Sequence, residues 1–399
     1  MGSELARRIA FTLGALLVYR LGAMIPLPGL DLAALAQIFN RQPTGILSSS
    51  SIGRLSLLEL TLVPYLTATF LLQMVALVSR RLRASWTESE RGRVIAERWT
   101  RLLTAILAAA QSYGIAQGLA RVPGIVTDPG PTFITTTVLT MTAGVFFLIW
   151  LSGQITARGI GNGIVLILFA GFASALPSTI VSMLELSRIG ALAPGMLQAS
   201  AVLTVAAVVI IVAVERARRR LPVQFSPRQA GDRTLPGQAT DIALKINPGG
   251  IMPIIMTLAL LTIVIALATL ADVADPRQLL AVGTPAHLLV SGVLIILFSL
   301  VYAAFVYDPE RMAGQLKAYG GAIPDVAPGE ATAAHLDGVI SRIAIVGTVY
   351  LLLLALLPAV VIMLPGLPLY SGTIWLMILV CIVLDIEAQV RALMAEPSA

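Results

Sequence analysis

Long apolar segments alternate with short polar segments along the whole chain of 399 residues. A helix needs about 20 mostly apolar residues to cross a hydrocarbon core of roughly 30 Å, and most of the apolar segments have about that length. The pattern therefore predicts ten membrane-spanning helices. Their approximate ranges are 9–25, 57–78, 102–120, 133–152, 163–181, 196–214, 249–271, 287–306, 340–362 and 371–391.

The composition agrees with a membrane protein. Hydrophobic residues make up 57% of the chain and charged residues only 12%, whereas soluble domains are about 25% charged. A soluble protein of this composition would expose more apolar surface than water tolerates. Ten spans and their connections use most of the chain, so no large soluble domain is expected.

The basic residues are distributed unequally between alternate connections. The two connections 80–101 and 216–245 carry seven Lys or Arg residues each, and their side of the membrane totals 21 against six on the other side. Cytoplasmic connections carry the excess of Lys and Arg. The basic side is therefore predicted to be cytoplasmic. Both termini then lie inside, as an even number of spans requires.

The ten spans divide into two groups of five with prolines at matching places. Pro64 lies in the second span and Pro253 in the seventh. Five is an odd number, so the second half must run inverted, and interrupted helices at matching places in inverted repeats indicate a pathway at the midplane. Membrane helices also tolerate proline for no functional reason. Both interpretations of the pair stay open.

The sequence shows no pattern of catalytic or metal-binding residues. The two histidines, His287 and His335, are far apart, and Cys381 is the only cysteine, so neither a metal site nor another cofactor is expected. An enzyme is not expected either. The inverted topology also suits a secondary transporter, which is the alternative prediction. Transporters place ionisable residues inside their spans. Here the interiors of the predicted spans are nearly free of charged residues, and Glu59 is the exception.

Two connections on the basic side, about 215–248 and 307–339, are longer than connections usually are. The first is strongly basic. Such a segment either lies against anionic lipid or docks an acidic or RNA-rich partner. The sequence alone favours the lipid interpretation.

Several motifs, in order over nearly the whole chain, carry a resemblance to one family. The most specific is RGIGNGI at 158–164, and the others lie at 19–22, 25–29, 63–65, 214–217, 244–247, 250–253, 328–332, 337–339 and 389–390. With these motifs the chain resembles the bacterial SecY family, the protein-conducting channel of the general secretory pathway. The resemblance implies a location in the bacterial cytoplasmic (inner) membrane.

The resemblance implies an all-α membrane fold with ten transmembrane helices in two inverted five-helix halves. The halves would be residues 1–182 and 196–399, joined by a hinge at 183–195. They would enclose a central hourglass pore with a lateral gate. Unfolded secretory polypeptides would cross through the pore, and hydrophobic segments would leave sideways into the membrane.

The resemblance also assigns a ring of apolar side chains to the narrowest part of the pore. These are Leu62, Leu66, Leu168, Phe172, Ile255 and Met377. An apolar constriction stops ions by dewetting, yet it offers a passing peptide no hydrogen bonds to break. Any one of these residues alone would be interpreted as an ordinary packing residue.

The plug that closes the pore in this family corresponds to about 44–56, and here it is shortened. It contains Gly45, Ile46, Leu47, Ser48, Ser49, Ser50, Ser51 and Ile52. Consecutive serines are poor helix formers, so a weak plug is expected. Nearby, Glu59 is interpreted either as an outer-vestibule residue paired with Arg54 or as an interfacial charge without a role.

Expected partners, by resemblance, are SecE-like and SecG-like small membrane subunits, the SecA motor ATPase, the ribosome, signal-sequence-bearing polypeptides and membrane lipid. The predicted cytoplasmic docking residues are Arg216, Arg218, Arg219, Arg220, Arg228, Arg233, Ala327, Pro328, Gly329 and Glu330. Ala327 departs from the family, which carries Arg before Pro-Gly-Glu. An alanine cannot supply a guanidinium group, so the departure predicts weaker coupling to the motor, in a divergent or specialised member of the family.

Overall fold

The computed structural model describes most of the chain. The described residues are 2–31, 33, 55–79, 85–86, 89–174, 176–190, 195–225, 228–230, 233–235, 239–270, 284–362 and 372–395. Their main helices are α1 Gly2–Gly22, α2 Val63–Val78, α3 Glu90–Ala120, α4 Pro131–Arg158, α5 Gly163–Ala173, α6 Leu176–Arg188, α7 Met196–Arg216, α8 Met252–Leu270, α9 Pro285–Val306, α10 Pro309–Ala318, α11 Glu330–Ile362 and α12 Gly372–Ala395.

Each predicted span overlaps a helix, although residues 57–62 of the second span form turns before α2 begins at Val63. The range 163–181 is an exception in form, because α5 ends at Ala173 and α6 begins at Leu176. Among the described residues, five helices are long and apolar enough to cross a membrane, and the helices that begin at Val63 and Met252 are apolar but shorter. The count of ten spans therefore stays a prediction.

The prediction of an all-α chain was wrong in one respect, because the described residues of the connections 215–248 and 307–339 include five short strands. These are β1 Arg218–Phe225, β2 Arg228–Ala230, β3 Arg233–Leu235, β4 Ala239–Lys245 and β5 Gly321–Ala322. One sheet has the order β4-β1-β5, and β2 pairs with β3. The physical reason is a two-residue periodicity that buries Leu221 and Val223 on one face of β1. The chain is mostly helical.

The structure divides into two compact units, which are described separately. Unit 1 comprises Met1–Gln198, Thr262–Ala274 and Ile382–Ala399, and unit 2 comprises Ala199–Leu261 and Asp275–Cys381. In unit 1, α3 packs against α2 and α4, and Ala108, Met141 and Val145 belong to the core. In unit 2, the sheet packs on α10 and α11 around a core that includes Val223, Leu244 and Leu336.

Helix α4 shows how the long helices meet their surroundings. It begins with Pro131 at N1 and ends at Arg158, and one face buries residues such as Met141, Leu148 and Ile155. The opposite face exposes Leu139 and Trp150, which are 66% and 57% accessible. An exposed face of large apolar side chains suits lipid rather than water.

Candidate functional site

The RGIGNGI motif forms the corner that joins α4 to α5. The hydroxyl of Thr12 in α1 accepts a hydrogen bond from the backbone N–H of Ile160 at 3.0 Å. The hydroxyl of Thr156 in α4 accepts from the N–H of Gly163 at 2.8 Å. The side chain of Asn162 accepts from the N–H of Ile164 at 3.0 Å. Thr156 and Asn162 satisfy N–H groups that the start of α5 leaves without intrahelical partners, and Thr12 satisfies an N–H group of the turn before it.

The glycines of this corner are required by close approach. A Cβ at Gly163 would lie 2.0 Å from the carbonyl oxygen of Ser152, and a Cβ at Gly159 would lie 2.4 Å from Oγ1 of Thr12. Gly161 has a φ of +84°, which non-glycine residues rarely adopt. The corner therefore fixes the start of α5 against α1 and α4, and α5 carries two of the predicted pore residues.

In unit 1, the structure places four predicted ring residues on two short helices. Leu62 is the N-cap of α2 and is fully buried, and the N–H of Leu66 bonds to the carbonyl of Leu62 at 3.0 Å. Leu168 is half-buried in α5. Phe172 follows four residues later in the same helix, and its side chain lies outside the described part of the chain. Residues four apart share a helix face.

The other two ring residues belong to the second unit. Ile255 lies in the first turn of α8 and is half-buried, and Met377 lies in α12 and is fully buried. Pro253, the matched proline of the seventh predicted span, is at the start of α8. Pro64 is likewise at the start of α2. The two prolines therefore lie in the first turns of helices, where a backbone N–H would have no intrahelical partner and its absence costs nothing. The closed ring of six side chains stays a prediction.

The predicted plug residues, Gly45 to Ile52, lie outside the described residues. The chain on either side of them is joined by backbone hydrogen bonds. The N–H of Leu27 bonds to the carbonyl of Leu55 at 2.9 Å, and the N–H of Leu57 bonds to that of Ile25 at 3.1 Å. The motif at 25–29 therefore anchors the segment that follows the plug.

The segment 55–62, between the predicted plug residues 45–52 and α2, has unusual backbone geometry. Leu55 and Thr61 have φ angles of 39° and 49°, which cost about 1–3 kcal/mol each in non-glycine residues. A Cβ at Gly144 in α4 would lie 2.5 Å from the carbonyl oxygen of Leu57. The close packing of this segment against α4 holds it in its strained form.

Glu59 lies within this segment and is half-buried. Its Oε2 atom is buried without a hydrogen-bond partner among the described residues. Arg54, the partner suggested by the sequence, lies outside the described residues. The pairing of these two side chains stays a prediction.

In unit 2, two of the family-like motifs meet at the base of the sheet. The side-chain amide of Asn247 donates to Oε1 of Glu215 at 2.8 Å and to the carbonyl of Gly250 at 3.0 Å. Asn247 is only 3% exposed. A Cβ at Gly347 in α11 would lie 2.7 Å from the carbonyl of Ile246. The end of α7, the end of β4 and the middle of α11 are thus packed together.

The predicted docking residues all belong to this unit. Arg216 ends α7, while Arg218, Arg219 and Arg220 are exposed in β1. Arg228 and Arg233 belong to the paired strands β2 and β3, and their side chains lie outside the described part. Ala327, Pro328 and Glu330 are exposed before and at the start of α11, and the hydroxyl of Thr332 donates to the carbonyl of Ala327 at 2.8 Å.

Sequence reasoning missed the sheet and the Asn247–Glu215 contact. The sheet had a detectable signal, because large apolar residues recur at every second position, at Leu221, Val223 and Phe225 and again at Ile242 and Leu244. The contact had none, because its two residues are 32 positions apart. Only the antiparallel register of β1 and β4 brings them close.

Comparison with known proteins identifies the family. The SecY family profile matches residues 56–387. The protein translocase subunit SecY of Escherichia coli strain K12 is 36% identical over 407 residues, which cover 98% of this chain and 92% of that protein.

Solved structures agree in fold. One is a SecY structure whose plug domain is described as stabilising the closed state of the translocation channel, with a TM-score of 0.69 and 17% identity over 98% of this chain and 93% of that one. Another is Sec61 in the canine ribosome–channel complex, with a TM-score of 0.65 and 16% identity over 98% and 93%. The chain belongs to the SecY family.

Proposed function

We propose that this chain is the channel subunit through which unfolded secretory polypeptides cross the cytoplasmic membrane and hydrophobic segments enter it. The observation that carries the proposal is likeness to a SecY translocase subunit over 98% of the chain. The alternative of a secondary transporter is not supported, because the relatives and structural neighbours are translocase and channel proteins.

The predicted pore ring suits the conduction of polypeptides of any sequence. All six residues are apolar, and they come from helices of both units. An apolar constriction excludes ions by dewetting and forms no specific hydrogen bonds with a moving chain. The ten spans, the inverted halves and the hourglass pore belong to this proposal, as do the plug at 45–52 and the hinge at 183–195.

Lateral release follows from partition energies alone. An apolar residue such as Leu at the membrane centre favours insertion by roughly 0.3–0.6 kcal/mol, and Arg or Asp opposes it by about 2.5–3.5 kcal/mol. A gate that lets a segment sample lipid therefore sorts segments by the sum of these terms. No catalytic residue is needed.

The proposed partners divide by location. The SecE-like and SecG-like subunits would contact the spans in the membrane, and the SecA motor or the ribosome would contact the cytoplasmic segments. Support for a ribosome partner comes from the related Sec61 channel, which is described in a ribosome–channel complex. Both termini would be cytoplasmic, which reporter fusions at each end test directly.

Site-specific photocrosslinking tests the proposed function. A photoreactive residue at position 66 or 255 should crosslink to a secretory chain stalled in transit. Matched controls at positions 139 and 353 carry exposed leucines, 66% and 62% accessible, and should crosslink to lipid. If a stalled chain reacts equally at all four positions, or at neither 66 nor 255, the proposed pathway is wrong.

A further inference from the structure

The base of the β1–β4 hairpin is held where two apolar helices end. Helix α7 ends at Arg216, and β1 starts at Arg218. The N–H of Ile246 bonds to the carbonyl of Ala217 at 3.3 Å. The hydroxyl of Tyr307, the C-cap residue of α9, accepts from the N–H of Lys245 at 2.9 Å. Connectivity and hydrogen bonding therefore keep this base at the level where α7 and α9 leave the membrane.

Three cations share the outer face of this base. In the antiparallel register Arg218 is opposite Lys245, and Arg220 is opposite Ala243. Residues that alternate along a strand point to one face, and the other face of the hairpin is buried, with Leu221 and Val223 in the core of unit 2. Arg218, Arg220 and Lys245 therefore project together, and all three are exposed.

This face carries a net positive charge. Like charges directly opposite each other on paired strands repel and destabilise the pair, yet Arg218 and Lys245 occupy such a pair. Asp241 is the acidic residue on the same face. It lies opposite Pro222, which is the next residue of β1 on this face after Arg220. Among the ion pairs of the described residues, none involves these three cations. An external anion would remove the repulsion.

The depth of these cations matches lipid phosphate. The headgroup layer on each side of a bilayer is about 5–7 Å thick. A strand rises roughly 3.3 Å per residue, so Arg220 is about 7 Å beyond Arg218 along β1. Phe225 is about 23 Å beyond it on the same basis, and Arg228 and Arg233 come later still. The three base cations can reach headgroups directly. Arg228 and Arg233 belong to β2 and β3, which follow the far end of β1, so they lie farther from the base than a Debye length of about 8 Å.

We propose that Arg218, Arg220 and Lys245 form a binding surface for the phosphate groups of anionic phospholipids. The hairpin then has two functions: its base contacts the lipid surface, and its distal arginines remain available to cytoplasmic partners. This inference concerns the membrane position of the hairpin and does not depend on the conduction of polypeptides.

Lipid binding to the purified full-length chain tests the proposal. Intact-complex mass spectrometry in neutral detergent measures the apparent Kd for phosphatidylglycerol, with phosphatidylcholine and inorganic phosphate as comparison ligands. The triple variant R218Q/R220Q/K245Q should bind phosphatidylglycerol about tenfold or more weakly, since each surface cation contributes roughly fivefold. The matched control R228Q/R233Q should change the Kd by less than about twofold, because its cations lie beyond the screening distance.

A charge-preserving variant separates loss of charge from damage to the fold. The variant R218K/R220K should keep tight binding of phosphatidylglycerol, because phosphate attracts lysine and arginine as cations alike. The proposal is overturned if the triple variant and the distal variant lose equal affinity, or if inorganic phosphate binds as tightly as the lipid. It is also overturned if the triple variant keeps its lipid affinity but loses binding to ribosomes, which would make the base an RNA-binding surface.

Discussion

Replacing Gly163 by alanine should destabilise the corner between α4 and α5. The added Cβ would lie 2.0, 2.7 and 2.9 Å from O, C and Cα of Ser152. All three atoms are backbone, so relief requires α5 to move relative to α4. Overpacking of this kind costs about 1–3 kcal/mol. Displacement would also weaken the bond from Gly163 to Thr156, at a further cost of about 1 kcal/mol.

A matched substitution in the same region should have the opposite sign. Gly153 in α4 is exposed, and a Cβ there meets no atom within 4 Å. Alanine is favoured over glycine inside a helix by about 1 kcal/mol. Gly153→Ala should therefore be neutral or stabilising, and the two alanine variants should differ by roughly 2–5 kcal/mol in free energy of unfolding.

Reversible unfolding in mixed micelles measures both variants against the unmodified protein. A second readout is ion leak through the reconstituted channel, because α5 carries Leu168 and Phe172. We expect Gly163→Ala to lower stability and raise the leak, while Gly153→Ala changes neither adversely. If Gly163→Ala is as stable as Gly153→Ala, the close approach of α5 to Ser152 does not exist in the folded protein.

Three further substitutions test separate contacts. Asn247→Ala should cost about 1–3 kcal/mol of unfolding free energy, because Glu215 and the Gly250 carbonyl each lose one donor. The control is Gln224→Ala at an exposed position of β1, and equal effects of the two variants would contradict the contact. Thr12→Val removes the acceptor for Ile160 and should cost a similar amount, whereas Thr135→Val, whose hydroxyl bonds only within α4, should not. Position 327 is exposed, so Ala327→Arg should change the free energy of unfolding by under about 0.5 kcal/mol. Increased SecA-driven export would show that the missing guanidinium group limits coupling to the motor. Unchanged export would show that its absence is compensated or irrelevant.

The positions of the helices could be predicted from the sequence because a membrane-spanning helix needs a continuous apolar stretch of a given length, which is a local property. Each predicted span overlaps helical structure, and the motifs identified the family correctly. The break between α5 and α6 was not predicted, since the range 163–181 is mostly apolar and membrane helices tolerate glycine and proline such as Gly171 and Pro177. The strands β1 and β4 were not predicted either, because the segment 215–248 was interpreted only from its charge and length.

The sequence alone determined the membrane class and the SecY family, because apolar length and motif order do not depend on how the helices pack. Tertiary structure decided the contacts that position the candidate site. Thr12 meets Ile160 across 148 residues, and Asn247 meets Glu215 across 32. Such contacts depend on where glycines allow backbones to approach and on the register of paired strands. The close approaches and the strand register are established only when the whole chain packs, so no local sequence pattern predicts them.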